Sequence, residues 1–484
     1  MSRRRRTRAG LSLDEKETVM EYRPQLSRPY SDADMESILT DGLRILKQIG
    51  VACSEPQTVE RVTAEPGVTW EGGRLKFEPD AMREHVAAIR RRLAPKASAP
   101  PPPFELLAAW SGLNYADPET GEVRPPTTED AVLMTRLMDA FGGHDWSIPL
   151  VPSDVNPRYA TLTSEYIALS NSRALGGFMS VMDPTEIEFL IEMHQAVGRT
   201  YLLDEQIGIS PLRFNDHGLA SALKFMGRDD VRVILVGSIP AVGSTVPFNL
   251  RAAVATVVAE RLSLSMTCER LGTSGGGYGG GFLPFDFQYL TIGFGSAEEG
   301  LFAAMDRQLG EYINGVPNYF GAMHSIARMP DAQAAAEKTA NALFQALIGR
   351  RRFRGGGQLA VDEVFSPQQL IIDQAILQHV ERIVHGFDPL AQTDDLMAEV
   401  QAGIAEGNYV GEESTVRGYR QNCLMPDLFH HYNVGHWRQL GSPTILAEAW
   451  DRCKGLIAAC DFHLPDDQAR ALESTYRKAL RTLV

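Results

Sequence analysis

Apolar positions along this chain change their spacing more than once. From residue 31 they recur at helical intervals. Met35, Ile38, Leu39, Leu43, Ile45 and Leu46 make one face of a helix that Ser31 opens and Gly50 stops. Residues 64–79 predict a small hairpin around Gly72-Gly73, and a helix follows from about 79 to 93. Ala97 to Pro103 is proline-rich and reads as a stiff linker, so a boundary is expected there. After residue 104 the rhythm shifts to short apolar runs that alternate with helices. Runs at 145–151, 174–181, 207–213 and 231–239 lead into helices at 161–171, 184–197, 216–226 and 247–266. A glycine-laden run ends near Gly281, ahead of a helix at 297–313. Val316–Met323 then leads to a helix at 330–348, and Arg351–Arg354 to one that starts at Ser366.

Strand, polar loop and helix in repeated succession is the pattern of a parallel sheet. So many consecutive crossovers, without a dinucleotide-binding fingerprint, favour an α/β fold of the TIM (β/α)8 barrel type over an open doubly wound sheet. The expected organisation has four parts. Residues 1–30 are a polar tail, 31–103 an N-terminal helical segment with its linker, 104–388 the barrel, and 389–484 a C-terminal helical extension that packs on the barrel or caps its mouth.

Barrel chemistry sits at the C-terminal ends of the strands. The polar residues expected there are Asp216, His217, Ser244, Thr245, His324 and Gln358. Gln358 follows Gly355-Gly356-Gly357 and shares a loop with Asp362 and Glu363. Ser366-Pro367-Gln368-Gln369 reads as a capping box that opens the next helix. Phe214, Tyr278, Phe285, Phe287, Tyr319 and Phe320 cluster at the same points of the sequence. Singly each suits a core; jointly they would line a cage for a methylated cation, which ring faces attract.

Composition narrows the choice. The 484 residues carry a net charge of −14, from 47 basic and 61 acidic side chains, which disfavours a nucleic-acid partner. Arg3 to Arg6 form a basic run with no signal-length apolar segment behind it, and read as a solvated tail. No apolar run reaches the ~18 residues of a membrane span. The cysteines are Cys53, Cys268, Cys423, Cys453 and Cys460, an odd number without a CxxC, which suggests free thiols in a cytoplasmic protein. The glycines at 275–281 lack the Lys and Ser/Thr of a phosphate loop and are read as close packing or a loop at the mouth. His430, His431 and His436 lack the spacing of a metal site, so no metal is expected.

Seven stretches carry a family resemblance: ILKQIGVACSEP at 45–56, ISPLRFND at 209–216, VGSTVPFNLRAAVATVVAERL at 242–262, GSAEEGLFAAMDRQL at 295–309, MPDAQAAAEKTANALFQALIG at 329–349, SPQQLIIDQAIL at 366–377 and YVGEESTVRGYRQNCLMPDLF at 409–429. Together they resemble the trimethylamine methyltransferase (MttB-like) superfamily of corrinoid-dependent methyltransferases, over nearly the whole chain. The resemblance implies a barrel whose mouth meets a separate corrinoid-binding protein. It implies a cobalamin carried by that partner and no cofactor held tightly by this chain. It further implies a small methylated-amine substrate and assembly into a homo-oligomer. The trimethylamine enzymes carry pyrrolysine just ahead of the PDAQ-like segment. This sequence has none there, and Arg328 stands in that region. The chain is therefore similar to the non-pyrrolysine branch, where glycine betaine is the substrate type. Arg350, Arg351 and Arg352 replace a blander family stretch. On this reading the catalytic candidates are His324, Glu413 and Gln358. The substrate-binding candidates are Phe214, Tyr278, Tyr319, Phe320 and Arg328. Two other readings stay open: a barrel lyase or hydrolase that uses His324 with Asp216 or Glu413 as acid and base, and a non-catalytic relative that binds betaines.

Overall fold

The structure is a computed structural model that describes residues 28–108, 111–142, 148–176, 184–273, 277–387, 395–424 and 427–483. Residues 1–27 of the expected tail, 145–147 of the run at 145–151 and 177–181 of the run at 174–181 lie outside these residues. Two compact units are present. One comprises Leu26–Glu381 with Pro426–Val484, and the other holds Arg382–Met425.

The N-terminal helix forms as its pattern predicts, over Asp32–Gln48. Ser31 accepts from the Asp34 amide, and Asp34 reaches back to the Ser31 amide in a full capping box. Its buried face, Met35, Leu39, Leu43 and Leu46, joins Val254, Val257, Val258 and Leu262 of the long helix Leu250–Leu271 in one core. The short strand Val51–Ala52 pairs with Arg74–Phe77 on one side and with Arg213–Phe214 on the other. The N-terminal segment is thus part of the main body. The proline-rich stretch at 97–103 does not separate two units, because helix packing and a shared sheet already join what lies on either side of it.

The alternating region is α/β, and its strand neighbours follow the order of a barrel. Glu105–Ala108, the first strand of this region, pairs in parallel with Arg352–Gly356, near its end, and that strand pairs in parallel with Phe320–Ala322. A strand from the start of the region beside one from its end is the contact that closes a barrel. Val231–Val236 runs parallel to Tyr201–Gln206 over six residue pairs, and Gly112 bridges to Leu150.

The long strand Tyr201–Gln206 replaces the run expected at 207–213, where only Gly208–Ile209 and Arg213–Phe214 are extended. The reason lies in its two faces. Tyr201 and Leu203 pack outward into a core with Ile187, Leu190, Ile191 and Leu472, whereas Asp204 and Gln206 lie on the opposite face. Polar residues on the inner face hide the strand from an apolar scan. The same division recurs on Arg352–Gly356. Phe353 is fully buried, while Arg352 and Arg354 alternate with it.

The closing helix, Asp466–Thr482, lies in the second core through Leu472 and Ala479. The Tyr476 ring stacks on Tyr166 at 4.5 Å between centroids, and Lys478 pairs with Glu192 at 2.9 Å. Residues 389–484, expected as one extension, therefore divide: 426–484 belong to the main body, and the part before them to the smaller unit. Among the described residues, no helix is long and apolar enough to cross a membrane. All five cysteines are free thiols, with Cys423 exposed and the others buried.

Candidate active site

The strand Phe320–Ala322 ends one residue short of Met323, whose amide donates to the Arg354 carbonyl at 2.8 Å. His324 follows, where the chain leaves the sheet. Its Nδ1 donates to Glu299 Oε1 at 2.6 Å, and its ring stacks on Phe294 with centroids 3.8 Å apart and planes 11° from parallel. Glu299 is buried in the first turn of the helix Ala297–Asn314. Its other oxygen accepts from the Gly295 amide at 2.7 Å. A carboxylate at this end of a helix also meets the positive end of the helix dipole. Burial opposes the charged form of His324, but the Glu299 charge and hydrogen bond, with the Asp362 charge added, outweigh it. The imidazole pKa is raised above its ordinary value.

The loop after the next strand is fastened to the His324 loop. The Ala360 amide donates to the Ala327 carbonyl at 2.8 Å, and the Val361 amide to the Ser325 carbonyl at 3.2 Å. Ala327, Ala334, Leu359 and Val364 form a small core beneath. Glu337 secures the first loop from the helix Ala332–Leu347, accepting from Ser325 Oγ at 2.6 Å and the Ile326 amide at 3.0 Å. Ala360, Val361 and Asp362 all adopt left-handed backbone, with φ of 51°, 59° and 65°. None is glycine, and such conformations cost about 1–2 kcal/mol each. Strain of this kind gathers where a site needs a fixed geometry. Asp362 Oδ1 is enclosed and has no hydrogen-bond partner. Burial pushes the Asp362 carboxyl up. The charges of His324 and Lys338 resist that shift, and Glu299 adds to it.

Behind the glycine loop lies a fully buried ion pair. Lys338 Nζ donates to Asp373 Oδ2 at 2.8 Å and to the Gly355 carbonyl at 2.9 Å. Asp373 also accepts from the Gly357 amide and from Gln369 Nε2, each at 2.8 Å. Gly355 and Gly357 have φ of 86° and 78°, and a Cβ on Gly355 would sit 3.6 Å from the His324 ring. Glycine there lets the backbone turn beneath the histidine. Ser366 caps the next helix as expected, accepting from the Gln369 amide at 3.1 Å. The Gln369 side chain goes to Asp373 instead of completing the box.

The candidates from sequence divide accordingly. His324 stands at the centre. Gln358 is buried on the Asp362 loop, in the short pair Gln358–Leu359 with Val364–Phe365. Glu413 is exposed in the first turn of the helix Glu413–Asn422, within the 382–425 unit, and the carboxylate that meets His324 is Glu299. Phe214 and Tyr278 are core residues, both 3% exposed in the cluster that holds the N-terminal helix. Tyr278 is clasped by Asn314, which accepts from its amide and donates to its carbonyl, each at 2.8 Å. The Tyr319 ring lies under Arg307 at 5.6 Å. Phe320 begins its strand and carries Arg352 and Arg354 over its ring at 4.8 and 5.0 Å. Arg328 is exposed. The five therefore do not assemble into one cage, and the ring that meets His324 is Phe294.

Asp216 accepts from the Ser54 and Glu55 amides, at 2.8 and 3.1 Å, and so fastens the N-terminal segment. Thr245 caps its own turn through the Ala241 amide. Arg350 is buried against Asp306 at 3.1 Å, and Arg351 covers the Phe104 ring at 4.7 Å. His430 pairs with Glu448 at 2.7 Å, and among the described residues no cluster of three or more His, Cys, Asp or Glu could hold a metal. Sequence reasoning missed Phe294, Glu299, Lys338 and Asp373. Glu299, Lys338 and Asp373 fall within the quoted family stretches, but nothing local distinguishes them from ordinary helix charges.

A partly buried histidine paired with a buried glutamate at the end of a parallel strand, fastened to the loop of the neighbouring strand, lies where α/β barrels place small-molecule chemistry. The family description "Trimethylamine methyltransferase (MTTB)" matches residues 1–481, and the chain belongs to that family. It is 24% identical to the trimethylamine methyltransferase MttB of Desulfitobacterium hafniense over 479 residues, 93% of this chain and 92% of that one. It is 30% identical to MttB of Methanosarcina barkeri over 182 residues, 37% and 36% of the two chains. Among solved structures, the monomethylamine methyltransferase MtmB of Methanosarcina barkeri aligns with 90% of this chain and 88% of its own, at 10% identity and a TM-score of 0.42.

Proposed function

We propose that this protein moves a methyl group from a quaternary methylated amine of the glycine betaine type to a corrinoid carried by a partner protein. Family membership supports methyl transfer from a methylated amine. The observation that carries the finer reading is the His324 site itself. The chain has no pyrrolysine ahead of its PDAQ segment, where Arg328 stands, and its strand-end site holds a stacked His324–Phe294 pair with Glu299 and Asp362 close by. An aromatic face among carboxylates suits a permanent cation. On the strand beside it, Arg352 and Arg354 both lie over the Phe320 ring, and Arg352 also pairs with Glu105.

The corrinoid, when docked, supplies the Co(I) nucleophile that takes the methyl group. This chain must then offer an approach to the substrate, not ligands to cobalt. The inner side of the sheet fits that demand: Gln206 and Arg232 are exposed and His324 is only partly covered. A quaternary nitrogen leaves as a neutral tertiary amine. No residue here need donate a proton or bond covalently to the substrate. The remaining task is to hold the methyl carbon in line, and orientation of this kind is worth several kcal/mol.

Transfer of an isotopically labelled methyl from glycine betaine to free cob(I)alamin tests the proposal. The expected products are methylcobalamin and dimethylglycine, with His324→Ala slower by about tenfold or more. Failure of every quaternary amine to yield methylcobalamin overturns it. A second reading draws on the same His324–Glu299 pair, which could serve an acid–base lyase or hydrolase. Amine turnover without corrinoid would favour that reading.

A further inference from the structure

The charges around His324 do not cancel. His324 pairs with Glu299, and Lys338 with Asp373. Glu337 has its own donors in Ser325, Ile326 and Gln333. Asp362 is left over, with Oδ1 enclosed and without a partner, on a loop held in strained backbone. Such a carboxylate is costly to keep in a folded protein unless something meets it. Only the charges of His324 and Lys338, without a hydrogen bond to Oδ1, act in favour of its ionised form. Asparagine or glycine would adopt the left-handed conformation with less strain. The loop is held in place by the Ala327 and Ser325 carbonyls, so the carboxylate stays beside His324.

We infer that Asp362 is the counter-charge for the substrate's methylated nitrogen, set opposite the cation by the Ala360–Asp362 loop. This rests on the methylated-amine reading above and deepens it: the substrate must be cationic at the carbon-bearing centre, not merely the right shape. A quaternary ammonium has no N–H to donate, so it takes only charge and methyl contacts from the protein. Oδ1 is enclosed but the Asp362 residue is only partly covered, and its carboxylate as a whole takes that role. A protonated tertiary amine would also fit, with its N–H directed at the carboxylate. A neutral molecule of the same outline would leave Asp362 unmatched.

Glycine betaine and 3,3-dimethylbutanoate separate charge from shape, because the second replaces N⁺ with carbon and keeps the carboxylate. Their dissociation constants would be measured by calorimetry on the wild-type chain, Asp362→Asn and Asp362→Gly, all of which tolerate the backbone at this position. The wild type should prefer betaine. Both variants should bind betaine roughly tenfold more weakly, with the isostere unchanged, so that the preference collapses. Equal losses for both ligands, no loss for either, or a wild type that does not distinguish them would overturn the inference. Methyl transfer to cob(I)alamin, followed on the same preparations, keeps the two ideas apart. If the wild type transfers methyl and Asp362→Asn has an unchanged KM, the counter-charge falls and the function stands. If the variants abolish the preference but the wild type transfers no methyl, the counter-charge stands and the transfer reading falls.

Discussion

Single side chains in this protein are set by the company they keep. Asp204 shows it most plainly. It lies on the inner face of the strand Tyr201–Gln206, its Oδ1 is enclosed without a partner, and burial, helped by the Glu205 charge, pushes its pKa up to about 6. An acid whose folded pKa exceeds its unfolded one costs stability once it ionises. Between the ordinary carboxyl value of 3.8 and about 6 the native state holds the extra proton, so stability falls as pH rises through that window and then levels off. Asp204→Asn should therefore raise the melting temperature at pH 7.5, and the gain should vanish near pH 3.5. A gain that persists unchanged at the lower pH would rule out this account. His324 was legible from the sequence because it follows an apolar run at the place where barrels put their chemistry. Its partner was not. Glu299 sits in an acidic first turn, Ala297-Glu298-Glu299, where most such residues serve only the helix end. Only the fold decides that Glu299 turns inward to His324.

Elements show the same division between what periodicity reveals and what it hides. Helices with one apolar face, such as Asp32–Gln48 and Ala297–Asn314, form close to where their spacing places them. Strands whose inner side chains are polar do not announce themselves, which is why apolar spacing points to 207–213 and not to Tyr201–Gln206. The aromatic cage failed for a related reason. Large rings at strand ends and loops were read as facing a cavity, and Phe214 and Tyr278 went instead to the core that attaches the N-terminal helix. The helices Ala332–Leu347 and Pro367–His385 are tied through Lys338 and Asp373, with both side chains fully buried. Lys338→Met would leave Asp373 charged and unpaired, and should destabilise by about 3–5 kcal/mol. The double variant Lys338→Met/Asp373→Leu should recover much of that loss in urea denaturation. A double variant no more stable than the single one would count against the pairing argument.

The whole molecule depends on contacts between remote parts of the chain. Its C-terminal helix buries Leu472 and Ala479 against helices 160–171 and 187–196, three hundred residues earlier in sequence, and stacks Tyr476 on Tyr166. A chain that stops after Pro465 should unfold at a markedly lower temperature, because it uncovers Leu162, Ile187 and Leu190 on the outside of the parallel strands. Near-normal melting of the truncated chain would show that the helix is ornamental.

The ladder between residues 105–108 and 352–356 has a further consequence, for synthesis. A ribosome releases the first of these strands long before it has made the last. During that interval the opening strand has one edge without its eventual neighbour, and exposed strand edges invite pairing with other chains. His324, Asp362 and Lys338 acquire their final surroundings only after the closing strand emerges. Nascent chains halted before residue 352 should therefore depend on chaperones and be readily degraded by proteases.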